Sequence, residues 1–148
     1  MYRNILIATD GSALAEKAVT HGLDLAKAVG AKVTALIVEA PFNVFSVPES
    51  KIRQMSEAFA QHATAVKQHA GKVLGDIAAT AGKAGIACDT VQVEHEQPYQ
   101  AIIDTAKGKG CDAIVMASHG RSGISAMLLG SVTNKVLTHT DIPVVVVH

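Results

Sequence analysis

Four short runs of apolar residues constrain this chain more than any other feature of its sequence. They cover residues 5–8, 33–38, 113–117 and 142–147, and they scarcely alternate with polar residues. Short apolar runs bounded by turn residues are typical of strands buried on both faces. Between them apolar residues repeat at helical spacing, as in 15–29. Because strands that alternate with helices form parallel sheets, we predict an α/β fold with helices on both faces of the sheet.

The remaining elements are predicted from periodicity and turn residues. Apolar residues from Ile52 to Ala81 keep one face of a long helix for about eight turns. Alternation over Ile86–Val93 predicts a further, less buried strand, and Pro98 suits the first turn of the next helix. Residues 40–50 are predicted to be irregular. The apolar side chains of this segment either cover a ligand or pack on the long helix or a second subunit: Phe42, Val44, Phe45 and Val47.

Composition narrows the class of protein. The 148 residues suffice for one domain with a sizeable core. Thirteen basic and thirteen acidic residues cancel, which argues against nucleic-acid binding through a basic surface. No apolar run has the length of a membrane span or fits a leader peptide, so we expect a cytoplasmic protein without a membrane partner. Cys88 and Cys111 lack zinc-type spacing and are interpreted as reduced packing residues.

The segment 113–133 carries the strongest functional signal. The apolar run Ala113–Ala117 breaks into small, polar and glycine residues, and a helix can begin at Gly130. Backbone N–H groups at a helix N-terminus are unpaired and lie at the positive end of the helix dipole. Glycines let a phosphate approach those groups closely. Since no Asp or Glu occurs from Ala117 to Thr140, the segment predicts an anion site.

A parallel sheet would bring a second polar strand end to this site. Asp10 follows the first apolar run, and ligands bind where the order of parallel strands reverses. If the first and fourth strands are neighbours, Asp10 and the loop beginning at Ala117 meet at one crevice. Three roles are open for Asp10: it accepts a hydrogen bond from a ribose, binds Mg²⁺, or only caps the first helix.

The spacing Ala117-x2-Gly120-x9-Gly130-Ser131 resembles the nucleotide motif of the universal stress protein family, Gly-x2-Gly-x9-Gly-Ser/Thr, with alanine at the first glycine. The start, Ile5–Ser12, and the close, Asp141–Val146, are also similar to the family's, so the resemblance covers residues 1–148 as one domain. It implies a Rossmann-like, five-stranded parallel sheet of order 3-2-1-4-5. It further implies ATP binding in one branch of the family, a role in stress survival and a homodimer.

The resemblance also implies ligand contacts. The ends of the first two strands would border adenine and ribose, and the glycine loop with the following helix start would hold the phosphates. Arg121 either reaches a phosphate or is a solvated loop charge, and the methyl group of Ala117 is expected to weaken binding without removing the site. The contacts implied for ATP are Ala8, Thr9, Asp10, Val38, Met116, Ala117, Gly120, Arg121, Gly123, Gly130, Ser131, Val132 and Thr133.

Three histidines invite a catalytic or metal-binding interpretation. His119 lies in the glycine loop, but no carboxylate nearby in sequence could orient it, so a structural role is favoured. His62 and His69 lie two turns apart on the long helix, about 10 Å along its axis. That is too far to share one metal ion without other ligands, so both are interpreted as surface residues.

These features predict a regulatory nucleotide-binding protein rather than an enzyme. The P-loop motif of efficient hydrolases, Gly-x4-Gly-Lys-Ser/Thr, is absent, although slow ATP hydrolysis stays open. One alternative is an interaction module of the same fold that has lost the nucleotide. Another is an adenylyl-transferring or flavin enzyme on a related fold, although the sequence shows no recognisable set of catalytic residues for such an enzyme.

The last apolar run, Val144–Val147, predicts how two copies assemble. Pro143 cannot donate to a strand ladder, so it belongs at a sheet edge or at the first residue of a strand. An apolar edge invites pairing with another chain, and two such strands can pair in a two-fold dimer. The alternative is that the long helix or the segment 40–50 covers this edge.

Overall fold

The structure, a computed structural model, describes residues 1–41, 48–120 and 129–148, and residues 52–54 through their backbone alone. Strands and helices alternate along the described chain. In chain order they are β1 (Asn4–Ala8), α1 (Ala13–Val29), β2 (Lys32–Glu39), α2 (Glu49–Lys83), β3 (Cys88–Glu94), α3 (Pro98–Gly108), β4 (Ala113–Ala117), α4 (Ser131–His139) and β5 (Val144–Val147).

The five strands form one sheet of order β3-β2-β1-β4-β5 in which all neighbours are parallel. This confirms both the predicted class and the predicted order. β1 and β4 are central neighbours, with Ile5 opposite Ala113 and Ile7 opposite Val115. The chain builds the sheet outward from β1 to β3 and then returns to β4. The strand order therefore reverses between β1 and β4, where a crevice is expected.

Two strands begin two residues later than the sequence predicts. The third strand begins at Cys88, because Ile86 belongs to the turn that ends α2: its N–H donates to the Ala81 carbonyl at 2.8 Å. Gly85 permits this turn with a φ of 77°. The fifth strand begins at Val144, because the N–H of Ile142 donates to the Thr140 hydroxyl at 3.1 Å instead of to a ladder.

The core lies on both faces of the central strands. Ile5 and Ile7 pack toward α1, and Leu6 and Ile114 pack toward α3 and α4; all four are 0% exposed. The C-terminal half of α2 covers β2 through a separate cluster of Ala35, Ile37, Ala70, Leu74 and Ile77. Strands β1 and β4 are thus buried on both faces, as their sequences predict.

The two cysteines are free thiols, as predicted. Cys111 is buried, and Cys88 is half-buried at the start of β3. Burial raises the pKa of both thiols, which disfavours the reactive thiolate and fits packing residues. Each helix within the described residues is too short or too polar to cross a bilayer.

Gly22 marks the point where α1 passes closest to the sheet. A Cβ at Gly22 would lie 2.6 Å from Cδ1 and 2.8 Å from Cγ1 of Ile7, whereas a Cβ at Gly75 in α2 would meet nothing within 4 Å. Gly75→Ala should therefore raise the free energy of unfolding by roughly 0.5–1 kcal/mol through helix propensity. Gly22→Ala carries an added overpacking cost of about 1–3 kcal/mol. Urea denaturation measures the free energy of unfolding of both variants. An equal change in that free energy for Gly22→Ala and Gly75→Ala would contradict the close packing at Gly22.

Candidate functional site

A cavity of about 740 Å³ opens at the C-terminal ends of β1, β2 and β4, which is the crevice expected from the strand order. Small-molecule sites typically have volumes of about 300–1,000 Å³, so the cavity is large enough for a mononucleotide. The start of α4 closes one end of the cavity. One face of α2 lines another wall.

Of the thirteen contact residues implied by the family resemblance, eleven line this cavity. Arg121 and Gly123 lie outside the described residues, as do the apolar side chains of the predicted covering segment. That any of the thirteen residues contacts a ligand stays a prediction. The eleven are Ala8, Thr9, Asp10, Val38, Met116, Ala117, Gly120, Gly130, Ser131, Val132 and Thr133.

Asp10 lies where the ends of β1 and β4 meet. Its Oδ1 accepts a hydrogen bond from the N–H of Ser12 at 2.9 Å, which fixes the turn after β1. The helix cap itself is Ser12, whose hydroxyl oxygen accepts from the N–H of Ala15 at 3.2 Å. Asp10 Oδ2 faces Gly120 so closely that a Cβ there would lie 2.8 Å from it. Capping α1 is therefore not the role of Asp10, and its carboxylate borders the cavity.

The N-terminus of α4 presents hydrogen-bond donors to the cavity. The first N–H groups of a helix have no acceptor within it, and the N-cap, Gly130, has no side chain to supply one. The N–H of Gly130 itself donates to the Ser118 carbonyl at 2.6 Å, so it is not available to a phosphate as the resemblance implied. The donors at this end are therefore the N–H groups of Ser131, Val132 and Thr133 and the exposed hydroxyl of Ser131.

A second hydrogen bond fastens α4 to β4. Thr133 is buried, and its hydroxyl donates to the Ala117 carbonyl at 2.8 Å. The hydroxyl proton of Thr133 is thus used within the protein, so Thr133 positions the helix start. The methyl group of Ala117 belongs to the apolar cluster against α1, where it is accommodated by packing.

Three histidines also border the cavity, two of which the sequence analysis interpreted as surface residues. His62 and His69 are exposed, as predicted, but they line the cavity together with Val66 and Val73. Their spacings of four, three and four residues put these side chains on one helix face, a signal present in the sequence. His119 lines the cavity too, with Nδ1 3.0 Å from the Ser118 hydroxyl. The structural role favoured for His119 stays a prediction.

The described lining residues include no lysine or arginine. Among the described residues, helix N–H groups and a hydroxyl would therefore stabilise the charge of a bound phosphate, in place of the lysine of a P-loop. No group of three or more His, Cys, Asp or Glu among the described residues is arranged to hold a metal ion. The suggestion that Asp10 binds Mg²⁺ stays a prediction, since ligand phosphates would have to supply the other oxygens.

The model of the universal stress protein family matches residues 1–148 of this chain. Over 148 residues the chain is 32% identical to the universal stress protein YxiE of Bacillus subtilis, covering 99% of both chains. It also resembles the solved structure of MJ0577, a universal stress protein of Methanocaldococcus jannaschii, with a TM-score of 0.78 and 29% identity. That similarity covers 99% of this chain and 96% of the other.

Nucleotide complexes occur among the similar structures. One is a universal stress protein in complex with cAMP, which is 22% identical with a TM-score of 0.71 and covers 99% of this chain and 97% of its own. Another is the universal stress protein of Archaeoglobus fulgidus in complex with dAMP, at 19% identity and a TM-score of 0.60, covering 99% and 98%. At these identities the similarity shows a shared fold.

Proposed function

Because this chain belongs to the universal stress protein family, we propose that it binds an adenine nucleotide, ATP, in the cavity at the ends of β1, β2 and β4. The observation that carries this proposal is that a carboxylate and a helix N-terminus line the same cavity. The Asp10 carboxylate borders it, and the N-terminus of α4 faces it with N–H groups that have no acceptor within the helix. The similar proteins solved with cAMP and dAMP support an adenine nucleotide as the ligand.

The ligand would lie across the strand ends. Phosphates bind at Ser131 and Val132, at the start of α4. Asp10 accepts a hydrogen bond from the ribose, and Val38 borders the base at the end of β2. Mg²⁺, if it accompanies ATP, would be held mainly by the phosphates and by Asp10.

We assign the protein a regulatory role in the stress response, in which the bound nucleotide sets the state that a partner protein recognises. We also propose a homodimer that pairs through Val144–Val147, because β5 lies at an edge of the described sheet. The cytoplasmic location expected from the sequence stays a prediction.

Native mass spectrometry of the freshly purified protein tests the proposed function most directly. We expect a population with the added mass of ATP, and calorimetric titration of the stripped protein should rank ATP against ADP and AMP. An intact fold that carries no nucleotide and takes up none would contradict the proposal. That result would favour an interaction module without a nucleotide, for which alanine at position 117 is the specific sign.

We expect any ATP turnover to lie far below the median enzyme rate of roughly 10 per second. The described lining residues offer no lysine that could stabilise charge developing on the γ-phosphate. Phosphate release should be measured in parallel on the wild type and on Gly130→Val, since a contaminating ATPase would be unaffected by the substitution. Turnover in the ordinary enzyme range that is lost in Gly130→Val would show that the protein is an enzyme.

A further inference from the structure

Exposed basic side chains gather where strands β1, β2 and β4 begin, at the edge of the sheet opposite the large cavity. This basic edge consists of Arg3, Lys27, Lys32, Lys107 and Lys109, all of which are exposed. Arg3 precedes β1, Lys32 is the first residue of β2, and Lys109 lies between α3 and β4. Lys27 and Lys107 lie in the last turns of α1 and α3. The chain has no net charge, so its thirteen basic residues are unevenly distributed over the surface.

Backbone contacts hold three members of the basic edge close together. The N–H of Lys32 donates to the Arg3 carbonyl at 3.0 Å, and the side-chain amide of Asn4 donates to the Lys109 carbonyl at 3.0 Å. Burial raises the pKa of the Cys111 thiol, and the ammonium groups of Lys32 and Lys109 both oppose that rise, so both charges lie near this residue. Because neighbouring strands are about 4.8 Å apart, these positions span about 10 Å.

The carboxylate of Asp112 lies at the same edge, but backbone donors occupy it. Its Oδ2 accepts from the N–H of Arg3 at 2.9 Å, and its Oδ1 accepts from the N–H of Asn4 at 3.2 Å. Burial opposes ionisation of Asp112, but these donors and the Arg3 guanidinium outweigh it and lower the pKa of the carboxyl group. Asp112 therefore offsets part of the charge of Arg3, and the lysines carry the surplus positive charge.

A small cavity of about 280 Å³ opens at the basic edge, between the ends of α1 and α2. Lys27 and Lys32 line it, and its lining residues, all within the described ranges, include no Asp or Glu. Free carbonyls at helix C-termini would repel an anion. Here the Ala26 carbonyl accepts from the turn after α1 at 2.9 Å, and the Ala81 carbonyl accepts from the turn after α2 at 2.8 Å. These hydrogen bonds reduce the negative charge that an entering carboxylate would meet.

We propose that the basic edge and this cavity form a docking site for an acidic segment of a partner protein, with one carboxylate side chain in the cavity between Lys27 and Lys32. An extended segment advances about 3.3 Å per residue, so about four to six residues reach from the cavity to Lys107 and Lys109. A free small anion would leave those outer charges unmatched. A nucleic acid is disfavoured, because the basic edge includes no aromatic side chain on which bases could stack.

Fluorescence anisotropy with a labelled hexaglutamate peptide tests this docking site at low ionic strength, where surface charges are weakly screened. The wild type should bind the peptide, and Lys27→Gln combined with Lys32→Gln should weaken binding by about fivefold through the loss of two charge pairs. Lys67→Gln combined with Lys72→Gln is the matched control, with the same change in net charge at exposed positions of α2. Ala87→Leu, which narrows the cavity without altering charge, should also weaken binding.

Each outcome decides the inference. Absence of hexaglutamate binding by the wild type, or an equal loss in the two double variants, would overturn it. Glutarate that binds as tightly as hexaglutamate would indicate a small-anion site, and an oligothymidylate of equal charge that binds more tightly would indicate a nucleic-acid surface; either result overturns the proposal. Unchanged affinity in Ala87→Leu, shown by thermal melting to be folded, would overturn the insertion of a carboxylate into the cavity. These measurements involve no ATP, so they stand apart from the test of nucleotide binding.

Discussion

Substitution of Gly130 by valine is expected to abolish ATP binding and to leave the protein folded. A Cβ at Gly130 would lie 3.0 Å from the Ser118 carbonyl oxygen and 3.3 Å from the Cα of His119, both of which belong to the backbone. The backbone of Gly130, with φ −68° and ψ 160°, is accessible to valine. The effect is therefore steric: the side chain pushes the start of α4 away from the end of β4 and displaces the phosphate donors.

Calorimetry should record a loss of ATP affinity of at least about a hundredfold for Gly130→Val, and circular dichroism should record a folded protein. Gly75→Val is the matched control, because it adds the same side chain in α2 where a Cβ meets nothing within 4 Å. This control should retain wild-type affinity. Undiminished ATP binding by folded Gly130→Val would refute the assignment of the phosphate site.

A single proline at Val146 is expected to weaken the proposed homodimer strongly. The carbonyls of Pro143 and Val147 accept hydrogen bonds from β4, through the N–H groups of Ile114 and Ser118. Since the backbone groups of successive strand residues point in opposite directions, the N–H and carbonyl of Val146 point to the open edge of the sheet. Val146→Pro therefore removes a donor at the proposed interface and spares the ladder with β4.

A two-fold dimer loses this donor twice, so its dissociation constant should rise by at least roughly thirtyfold. Sedimentation equilibrium over a range of protein concentrations measures that constant. Val146→Thr, which keeps the N–H group and a β-branched side chain, should remain dimeric. A wild type that is monomeric at micromolar concentration would refute pairing through β5.

The fold was largely predictable because strands that are buried on both faces have recognisably apolar sequences. Strand β4 is apolar throughout, β1 is apolar after Asn4, and both are buried on both faces. β3 alternates because it lies at an edge of the sheet. The strand order came from the family resemblance and could not be worked out from periodicity, which is a local property. The boundaries at Ile86 and Ile142 were misplaced, because hydrogen bonds in the adjoining turns decide them.

The candidate site was predictable to a smaller extent. The family resemblance implied contacts at the ends of β1 and β4 and at the start of α4, and those within the described residues line one cavity. It could not show that the N–H of Gly130 is already bonded, since that depends on where the Ser118 carbonyl points in three dimensions. Glu39 and His69 were missed because they reach the cavity through the packing of α2 against β2. Helical spacing puts His69 on one face of α2 with His62, but it does not show which element that face packs against.

The two hydrogen bonds that hold α4 against β4, from Gly130 to Ser118 and from Thr133 to Ala117, bear on the thermodynamics of binding. They set the direction of the helix start without help from a ligand. A nucleotide therefore meets preorganised donors there, and little of its binding energy is diverted to ordering the backbone at that end. Differences in affinity between ATP, ADP and AMP should then reflect the contacts each phosphate makes, rather than a disorder-to-order transition at the start of α4.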